Sequence, residues 1–526
     1  MEVHGQGRSP HPERLFPAEP GSRKVAAALY EKVADLPLIS PHGHVDAAVL
    51  ARDEAYADPV ALLVRPDHYV LRLLHGQGVA LADLGLHPRA EQQALVEPHP
   101  LAEPHPPAEP HSRAEPQALA EPQALAEPQA LAEPQALAEP QARVAAPREV
   151  WRQLCRHWPA FRGTVVRLWF EDELSSLFGI EEPLSEATAD DTYDQVARLL
   201  TAPEMRPRAL YRRFGLEVLA TTDSPLDDLS AHAALRDDPS WEGRVVPTFR
   251  PDGLIDSSRP NDWAGSLDRL EDVSGIGTGN YRGYIAALES RRAVFKGLGA
   301  TATDHGPLSA EAVDLSEREA SLVYDRLRTG SQDPVDPRLF SAHMLMEMAR
   351  MSAEDGLVMQ LHPGIWRNHD TLEFARFGPD LGADFPLAAG FTSALQPLLA
   401  RFGSAANFRA IVFTADEATY SRELAPMASY YPSLWLGAPW WFLDAPDAMA
   451  RFWGAITDTT GFAKSAGFVD DTRAYCSIPA RHDLARRAHC SFLARLVCEH
   501  RLRLDDAEEL AVDFAYRLPK TAFRLG

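Results

Sequence analysis

Cysteine and long apolar runs are both scarce in this 526-residue chain. The four cysteines (Cys155, Cys476, Cys490 and Cys498) are too widely spaced for a cysteine zinc motif. They favour free thiols in a reducing, cytoplasmic compartment over a disulfide framework. No run approaches the roughly 18 apolar residues of a membrane helix, and the first ten residues lack the apolar centre of a signal peptide. We therefore expect a cytoplasmic protein with no membrane partner.

Positive charge is also in short supply. The chain has 75 acidic residues against 52 lysines and arginines, which gives a net charge of -23. This balance disfavours nucleic acid and anionic membranes as partners. An anionic small molecule would need an arginine of its own in the binding site. The length allows a large core in one decorated domain or in two.

Two histidines one residue apart follow a short apolar run near the N-terminus. Leu36 to Asp46 has the sequence Leu-Pro-Leu-Ile-Ser-Pro-His-Gly-His-Val-Asp. Alternation along an extended chain places His42 and His44 on the same face. Two imidazoles in this arrangement can bind one divalent metal ion. The alternative is a polar loop after a buried strand, and the rest of the chain must decide between the two.

Residues 97–143 form a low-complexity insert. The hexapeptide Ala-Glu-Pro-Gln-Ala-Leu repeats four times from Ala114 to Leu137. Proline at every sixth position prevents a regular helix, and the polar content cannot build a core. These features predict an extended, disordered insert. Residues 1–20, which are polar and contain proline and glycine, are predicted to be a flexible tail.

Apolar runs of strand length alternate with stretches of helical periodicity along the rest of the chain. After the run that precedes His42, they lie at 216–222, 244–249, 300–304, 357–362, 408–414, 433–437 and 465–469. Eight strands, each followed by helix, are typical of the α/β class and of a (β/α)8 TIM barrel. We predict such a barrel from residues 21–96 and 144–526, with a helical insertion after the first strand at 50–215.

Polar residues concentrate just beyond these predicted strands, where barrel enzymes carry their functional groups. Asp471 follows the eighth strand, which neighbours the first in a closed barrel, so Asp471 can join His42 and His44 as a third metal ligand. Dinuclear barrel hydrolases often use a carboxylated lysine as a bridge, but lysines are few and Lys296 falls within a helical pattern. The sequence therefore predicts one divalent metal ion. A helix N-cap is the alternative role of Asp471.

Taken in order, the motifs at these positions resemble the uronate isomerases (glucuronate isomerases) of the amidohydrolase superfamily. The resemblance extends from about Leu36 to the C-terminus, apart from the insert. It rests on His42-Gly-His44, Asp67-His68-Tyr69, Thr221-Thr222-Asp223, Arg250-Pro251-Asp252, Thr303-Asp304-His305-Gly306, Leu361-His362, Gly364, Arg367-Asn368, Trp440-Trp441-Phe442, Asp471-Thr472-Arg473 and Arg481-His482. It implies that His42, His44 and Asp471 bind the metal, which is usually zinc in that family.

The resemblance also implies a reaction, the isomerisation of D-glucuronate to D-fructuronate and of D-galacturonate to D-tagaturonate through an enediol. Moving a proton from C2 to C1 needs a base, an acid and an electrophile. Asp471 is the candidate base, and Tyr69 and His362 are the candidates for hydroxyl proton exchange. Arg250 is the first choice and Arg473 the second for holding the substrate carboxylate bidentately. Arg473, two residues from Asp471, is also assigned to catalysis.

Four more residues are assigned to the substrate site. For Trp440 and Trp441, core packing is an equally good interpretation. Asp304 and His305 are the other two, and His305 has the alternative of supporting a metal ligand from behind.

The sequence departs from the family pattern at Phe170 to Glu173, at His369-Asp370, and at Asp470, where threonine is usual. These departures leave the predicted metal ligands in place, and the property on which they bear is substrate choice. A mononuclear hydrolase or deaminase on the same barrel, and a sugar-acid-binding relative without catalysis, remain open, as does self-association.

Overall fold

The computed structural model describes residues 10–89, 144–331 and 333–526. The repeat insert at 97–143 and residues 1–9 of the predicted tail lie outside these ranges. The strands of the described chain are β1 (Leu38–Ser40), β2 (Leu216–Ala220), β3 (Arg244–Val246), β4 (Ala302–His305), β5 (Val358–Leu361), β6 (Ile365–Trp366), β7 (Phe385–Pro386), β8 (Ala410–Val412) and β9 (Leu434–Leu436).

Parallel strands in sequence order form the wall of the fold. β1, β2 and β3 pair as one parallel sheet, and β4, β5, β8 and β9 pair as a second. Pro247 has no N–H group to donate and follows β3 directly, so the regular ladder ends there. Phe249 then joins the two sheets through parallel bridges to Asp223 and Thr303. This order of strands is that of an α/β fold and is consistent with the predicted (β/α)8 barrel.

The eighth predicted strand, 465–469, forms a single parallel bridge to β9 at Ser465. Gly467 has a φ of 71°, and this left-handed conformation interrupts an extended ladder. The first and last strand segments meet a few residues further on. There the His44 backbone N–H donates to the Thr472 carbonyl at 2.9 Å, which brings the ends of the first and last strand segments together.

Helices separate and cover the strands. The α-helices are α1 (Pro20–Glu31), α2 (Ala47–Arg52), α3 (Pro59–Leu63), α4 (His68–His75), α5 (Pro147–His157), α6 (Val165–Phe178), α7 (Ala189–Leu200), α8 (Pro207–Arg213), α9 (Ser230–Asp237), α10 (Asp252–Ile255), α11 (Pro260–Ser274), α12 (Tyr281–Gly297), α13 (Glu317–Arg328), α14 (Val335–Asp355), α15 (Thr371–Phe377), α16 (Gln396–Phe402), α17 (Ala425–Tyr430), α18 (Pro446–Thr460), α19 (Ile478–Cys498), α20 (Leu504–Val512) and α21 (Leu518–Ala522). None of the described helices is both long and apolar enough to cross a membrane.

The helices of the predicted insertion pack against the rest of the described chain. Helices α3 to α8 and the turn after α5 contribute large buried side chains, among them Trp151, Trp158 and Trp169, to one continuous apolar cluster. Of the predicted tail, residues 10–20 are described: Pro20 begins α1, and Arg14 forms ion pairs with Asp172 and Asp483.

A second excursion lies between β5 and α16. Its strands β6 and β7 pair antiparallel, and α15 lies between them. We call residues 365–386 the β6–β7 segment. Gly382 in this segment has a φ of 83°, and a Cβ there would lie 2.7 Å from Arg72 Cβ on α4. The segment therefore packs closely against α4, over the ends of the strands.

Candidate active site

An open cavity lies at the carboxyl ends of the strands. Its wall includes nine residues predicted from the sequence, namely His42, His44, Tyr69, Arg250, His362, Trp440, Trp441, Asp471 and Arg473. It also includes five to which the sequence analysis gave no role, namely His68, Arg367, Asp380, Gly382 and Asp384.

His42, His44 and Asp471 converge on one point of this cavity. Asp471 Oδ1 lies 3.3 Å from His42 Nε2 and 3.1 Å from His44 Nε2. The Trp440 indole donates to Asp471 Oδ2 at 2.5 Å, whereas the buried Oδ1 has no hydrogen-bond partner among the described residues. Two imidazole nitrogens and an unpaired carboxylate oxygen are a donor set suited to a divalent transition metal. The residues present therefore fit the predicted ion.

The pKa values of His44 and Asp471 favour metal binding, whereas at His42 the effect of burial is outweighed by the carboxylates of Asp304 and Asp471, which raise the pKa. Burial lowers the pKa of His44 to about 4 despite the attraction of Asp471, so its imidazole is neutral at pH 7. Burial raises the pKa of Asp471, but the adjacent His42 and His44 imidazoles outweigh this effect and hold it well below the usual value. A neutral imidazole and an ionised carboxylate are the forms in which these side chains bind metals.

The backbone at Asp471 differs from the extended chain that the spacing of Asp471 and Arg473 requires for the two to share a face. Asp471 has a φ of 39°, in the left-handed region that aspartate tolerates better than most residues. Both side chains still line the cavity. Asp471 is not the N-cap of a helix, because the next helical segment is a 3-10 turn that begins only at Tyr475.

His362 forms a buried pair with Asp304. Asp304 Oδ1 accepts a hydrogen bond from His362 Nδ1 at 2.6 Å, and the described residues offer no partner to His362 Nε2. Burial lowers the pKa of His362, although Asp304 opposes the shift. The ring is therefore neutral, with its Nε2 lone pair available at the cavity wall. Together with His42, these two residues form a second group that could hold a metal ion.

The structure places Asp304 and His305 behind the cavity wall. Both are fully buried and neither lines the cavity. Asp304 acts on the site through His362 and through Arg250, whose Nη1 lies 3.0 Å from Asp304 Oδ2. The ring of His305 hydrogen-bonds the Thr303 hydroxyl at 3.0 Å.

Each arginine of the cavity has an aspartate partner. Arg250 is held by two carboxylates, since its Nε donates to Asp252 at 2.8 Å and its Nη1 meets Asp304. Arg473 Nη2 lies 2.9 Å from Asp380 Oδ1.

Arg367 is the third cavity arginine. Its Nη1 lies 3.3 Å from Asp384 Oδ2, and its guanidinium lies 4.8 Å from the ring centre of Trp441. The β6–β7 segment thus supplies Asp380 and Asp384, the partners of Arg473 and Arg367, and it also supplies Arg367 itself.

Tyr69 and His68 reach the cavity from the first turn of α4. Asp67 caps this helix by accepting from the Tyr69 backbone N–H at 2.8 Å, as the sequence predicts. The ring of Tyr69 lies 5.9 Å from Trp169 and 5.2 Å from the Arg481 guanidinium. Burial raises the pKa of the Tyr69 phenol, which keeps it protonated.

Both tryptophans touch functional groups as well as the core. Trp440 packs edge-on against His362 at 4.7 Å in addition to its bond to Asp471. Trp441 lies 5.8 Å from His68. Core packing and a site role therefore coexist for these two residues.

The unassigned residues came mostly from the β6–β7 segment, which has no regular apolar pattern. Asp380, Gly382 and Asp384 lie in the sequence Gly-Pro-Asp-Leu-Gly-Ala-Asp, which is typical of any loop. His68 and Arg367 belong to motifs that the sequence shows, but only the tertiary structure reveals that their side chains line the cavity.

Comparison with known sequences identifies the family. The sequence profile described as glucuronate isomerase matches residues 142–523. The chain belongs to the glucuronate isomerase family. Curated uronate isomerases from Mesorhizobium japonicum and Rhizobium meliloti are each 46% identical to this chain, and the alignments cover 98% of this chain and 99% of each relative.

A solved member of the family has the same fold. The crystal structure of glucuronate isomerase from Caulobacter crescentus superposes with a TM-score of 0.87 at 41% identity, and covers 99% of this chain and 98% of that one. The α/β fold predicted from the sequence is thereby confirmed, as is the resemblance to the glucuronate isomerase family.

Proposed function

We propose that this protein is a metal-dependent uronate isomerase that interconverts D-glucuronate and D-fructuronate, and D-galacturonate and D-tagaturonate. The observation that carries this proposal is the meeting, in one cavity, of the His42, His44 and Asp471 group with the neutral imidazole of His362. Family membership supports the same aldose-ketose reaction. The substrate is a small-molecule uronate.

The metal proposed here is one divalent ion, zinc by likeness to the family. Bound by His42, His44 and Asp471, it would polarise substrate oxygens and stabilise the negative charge that develops as the enediol forms. Tyr69, Trp440 and Trp441 line the cavity in which the sugar would bind.

Three side chains are placed to move protons. We assign Asp471 to the transfer of the proton from C2 to C1, because its carboxylate is ionised and fixed in orientation by Trp440. His362, with a free Nε2 lone pair and its Nδ1–H bonded to Asp304, exchanges protons with the hydroxyl oxygens. Tyr69 donates from a protonated phenol to the same oxygens.

The substrate carboxylate needs an arginine that can exchange its present partner. Arg250 was the first choice from the sequence, but its two carboxylate contacts leave little positive potential for a third anion. Arg473 has one such contact, with an aspartate that is 41% exposed. We therefore propose that Arg473 holds the carboxylate and that Arg250 fixes Asp304, and through it His362.

Proton NMR in deuterated water tests the reaction directly. The zinc-loaded protein is incubated with D-glucuronate or D-galacturonate, and the C1 and C2 signals are followed. We expect ketose with deuterium at C1 from the natural protein and none from a His42→Ala, His44→Ala double variant. Absence of ketose from the metal-loaded natural protein would refute the proposal.

A hydrolase is the second candidate, because His42, Asp304 and His362 form a second metal-binding group beside the first. Two tightly bound metals per chain by elemental analysis would favour it, whereas one metal favours the isomerase.

The described cysteines are all free, which supports our further proposal of a reducing, cytoplasmic location.

A further inference from the structure

A buried carboxylate that the proposed reaction does not use lies directly beneath the metal-binding group. Asp470 precedes the ligand Asp471 in the chain and is 1% exposed. Its Oδ2 accepts a hydrogen bond from the Ser40 hydroxyl at 3.0 Å. Ser40 ends β1, two residues before His42. The bond therefore connects the two chain segments that carry the three ligands.

This contact lies where the first and last strand segments meet. In the described chain Ser465 pairs with β9 and β1 pairs with β2, and no regular ladder joins β1 to the segment 465–469. The backbone bond from His44 to Thr472 joins the two segments above the metal-binding group. The bond from Ser40 to Asp470 joins them below it.

The other oxygen of Asp470 faces a histidine of α19. Asp470 Oδ1 and His482 Nε2 are 3.7 Å apart, and each is buried without a hydrogen-bond partner among the described residues. The His482 ring is itself fixed edge-on against Phe468 at 4.9 Å. Two unsatisfied polar atoms facing each other across so short a gap are costly unless they share a proton. A shift of less than an ångström would make this a normal hydrogen bond.

We propose that Asp470, held by Ser40 and His482, is a positioning residue that fixes the spacing of His42, His44 and Asp471 and thereby sets the affinity for the metal. The inference rests on the proposed metal site. Outer residues that orient metal ligands typically account for 10- to 100-fold in affinity. The Asp470 carboxylate also adds negative charge behind the site, which favours a divalent cation.

The test measures metal affinity without turnover. Zinc dissociation constants are determined by competition with a chromogenic chelator, and the d–d absorption of the cobalt form reports ligand geometry. Asp470→Asn keeps the size of the side chain but removes its charge and leaves one acceptor oxygen in place of two, so that Ser40 and His482 can no longer both face an acceptor. We expect a dissociation constant roughly 10 to 100 times larger and an altered cobalt spectrum. Ser40→Ala should change both readouts in the same direction, to a smaller extent.

Asp336→Asn is the matched control. Asp336 is also 1% exposed and is bonded to Arg326 and Ser331, but it lies on α14, away from the strands that carry the ligands. It should leave zinc affinity unchanged.

Each outcome decides the proposal. Unchanged zinc affinity in Asp470→Asn overturns it, and so does a lower melting temperature of the metal-free protein without a change in affinity. If Asp470→Asn does not fold, Ser40→Ala and His482→Gln decide, and natural affinity in both refutes the inference. Failure of the natural protein to bind zinc would instead refute the proposed metal site.

Discussion

Replacing Arg473 by lysine would show how the cavity holds a carboxylate. Arg473 is 36% exposed at the cavity wall, and its Nη2 lies 2.9 Å from Asp380 Oδ1. We expect the uronate carboxylate to displace Asp380 and to accept two parallel hydrogen bonds from the guanidinium. Lysine keeps the charge but presents a point donor, so one of the two bonds is lost.

The size of the effect follows from that lost bond. A hydrogen bond to a charged group contributes about 1.5 to 3 kcal/mol. At about 1.4 kcal/mol for each factor of ten, kcat/KM for a uronate should fall roughly 10- to 150-fold in Arg473→Lys. A neutral aldose with CH2OH in place of the carboxylate cannot make these bonds. Its low kcat/KM should be nearly the same in both proteins.

The assay compares initial rates on D-glucuronate and D-glucose for the natural protein and the variant, each with its metal content measured. Arg250→Lys is the companion variant. If Arg250 acts through Asp304 and His362, its replacement should lower turnover of both sugars by a similar factor. Equal losses on both sugars in Arg473→Lys, or no loss on the uronate, would refute the assignment of Arg473.

Three further outcomes are expected. Asp380→Asn removes a competitor for Arg473, and since an exposed ion pair is worth at most about 1 kcal/mol, the KM for uronates should fall up to about 5-fold; a higher KM would contradict this. Deletion of residues 97–143 with a Gly-Ser bridge should leave turnover and the unfolding midpoint unchanged, because the insert has no apolar periodicity; a large fall in either would contradict it. Burial lowers the pKa of His489 to about 3, so between pH 6.5 and 3 the unfolded chain binds one more proton at this residue than the folded chain. The free energy of unfolding should therefore fall by about 1.4 kcal/mol for each unit by which the pH is lowered in this range. Urea titrations of His489→Gln should show a smaller loss of stability as the pH is lowered.

Much of the fold could be predicted because parallel strands in a barrel are buried on both faces and appear as short apolar runs. The first seven runs all contain strands, and the order of pairing follows their order in the chain. The eighth could not be recognised as irregular, because its apolar content is normal and the interruption comes from a backbone angle at Gly467. The early end of β3 was visible in principle, since Pro247 cannot donate to a ladder.

The candidate site likewise contains residues that could be predicted from the sequence and residues that could not. Residues at strand ends were predictable, because the barrel fixes where those ends meet, and His42, His44 and Asp471 do converge. Residues of the β6–β7 segment were not, because a loop's path depends on contacts remote in sequence. Gly382 against α4 and Asp380 against Arg473 are two such contacts.

The charges of the cavity lead to a last prediction, on removal of the metal. Three arginines, Arg250, Arg367 and Arg473, face or pair with five aspartates in the described part of the chain, at positions 252, 304, 380, 384 and 471. The carboxylates and guanidiniums of this set carry a surplus of two negative charges, not counting any proton on His42, whose pKa Asp304 and Asp471 raise against the effect of burial. This surplus would repel a uronate in a protein that is already strongly acidic.

A divalent cation at His42, His44 and Asp471 would cancel that surplus. We therefore expect the metal-free protein to lose affinity for the uronate far more than for a neutral sugar alcohol of the same size, as measured by calorimetry at low ionic strength. Added salt should narrow the difference, because screening weakens the repulsion. Equal losses for both ligands would mean that the metal acts on binding through direct coordination or cavity shape, and not through the charge balance of the cavity.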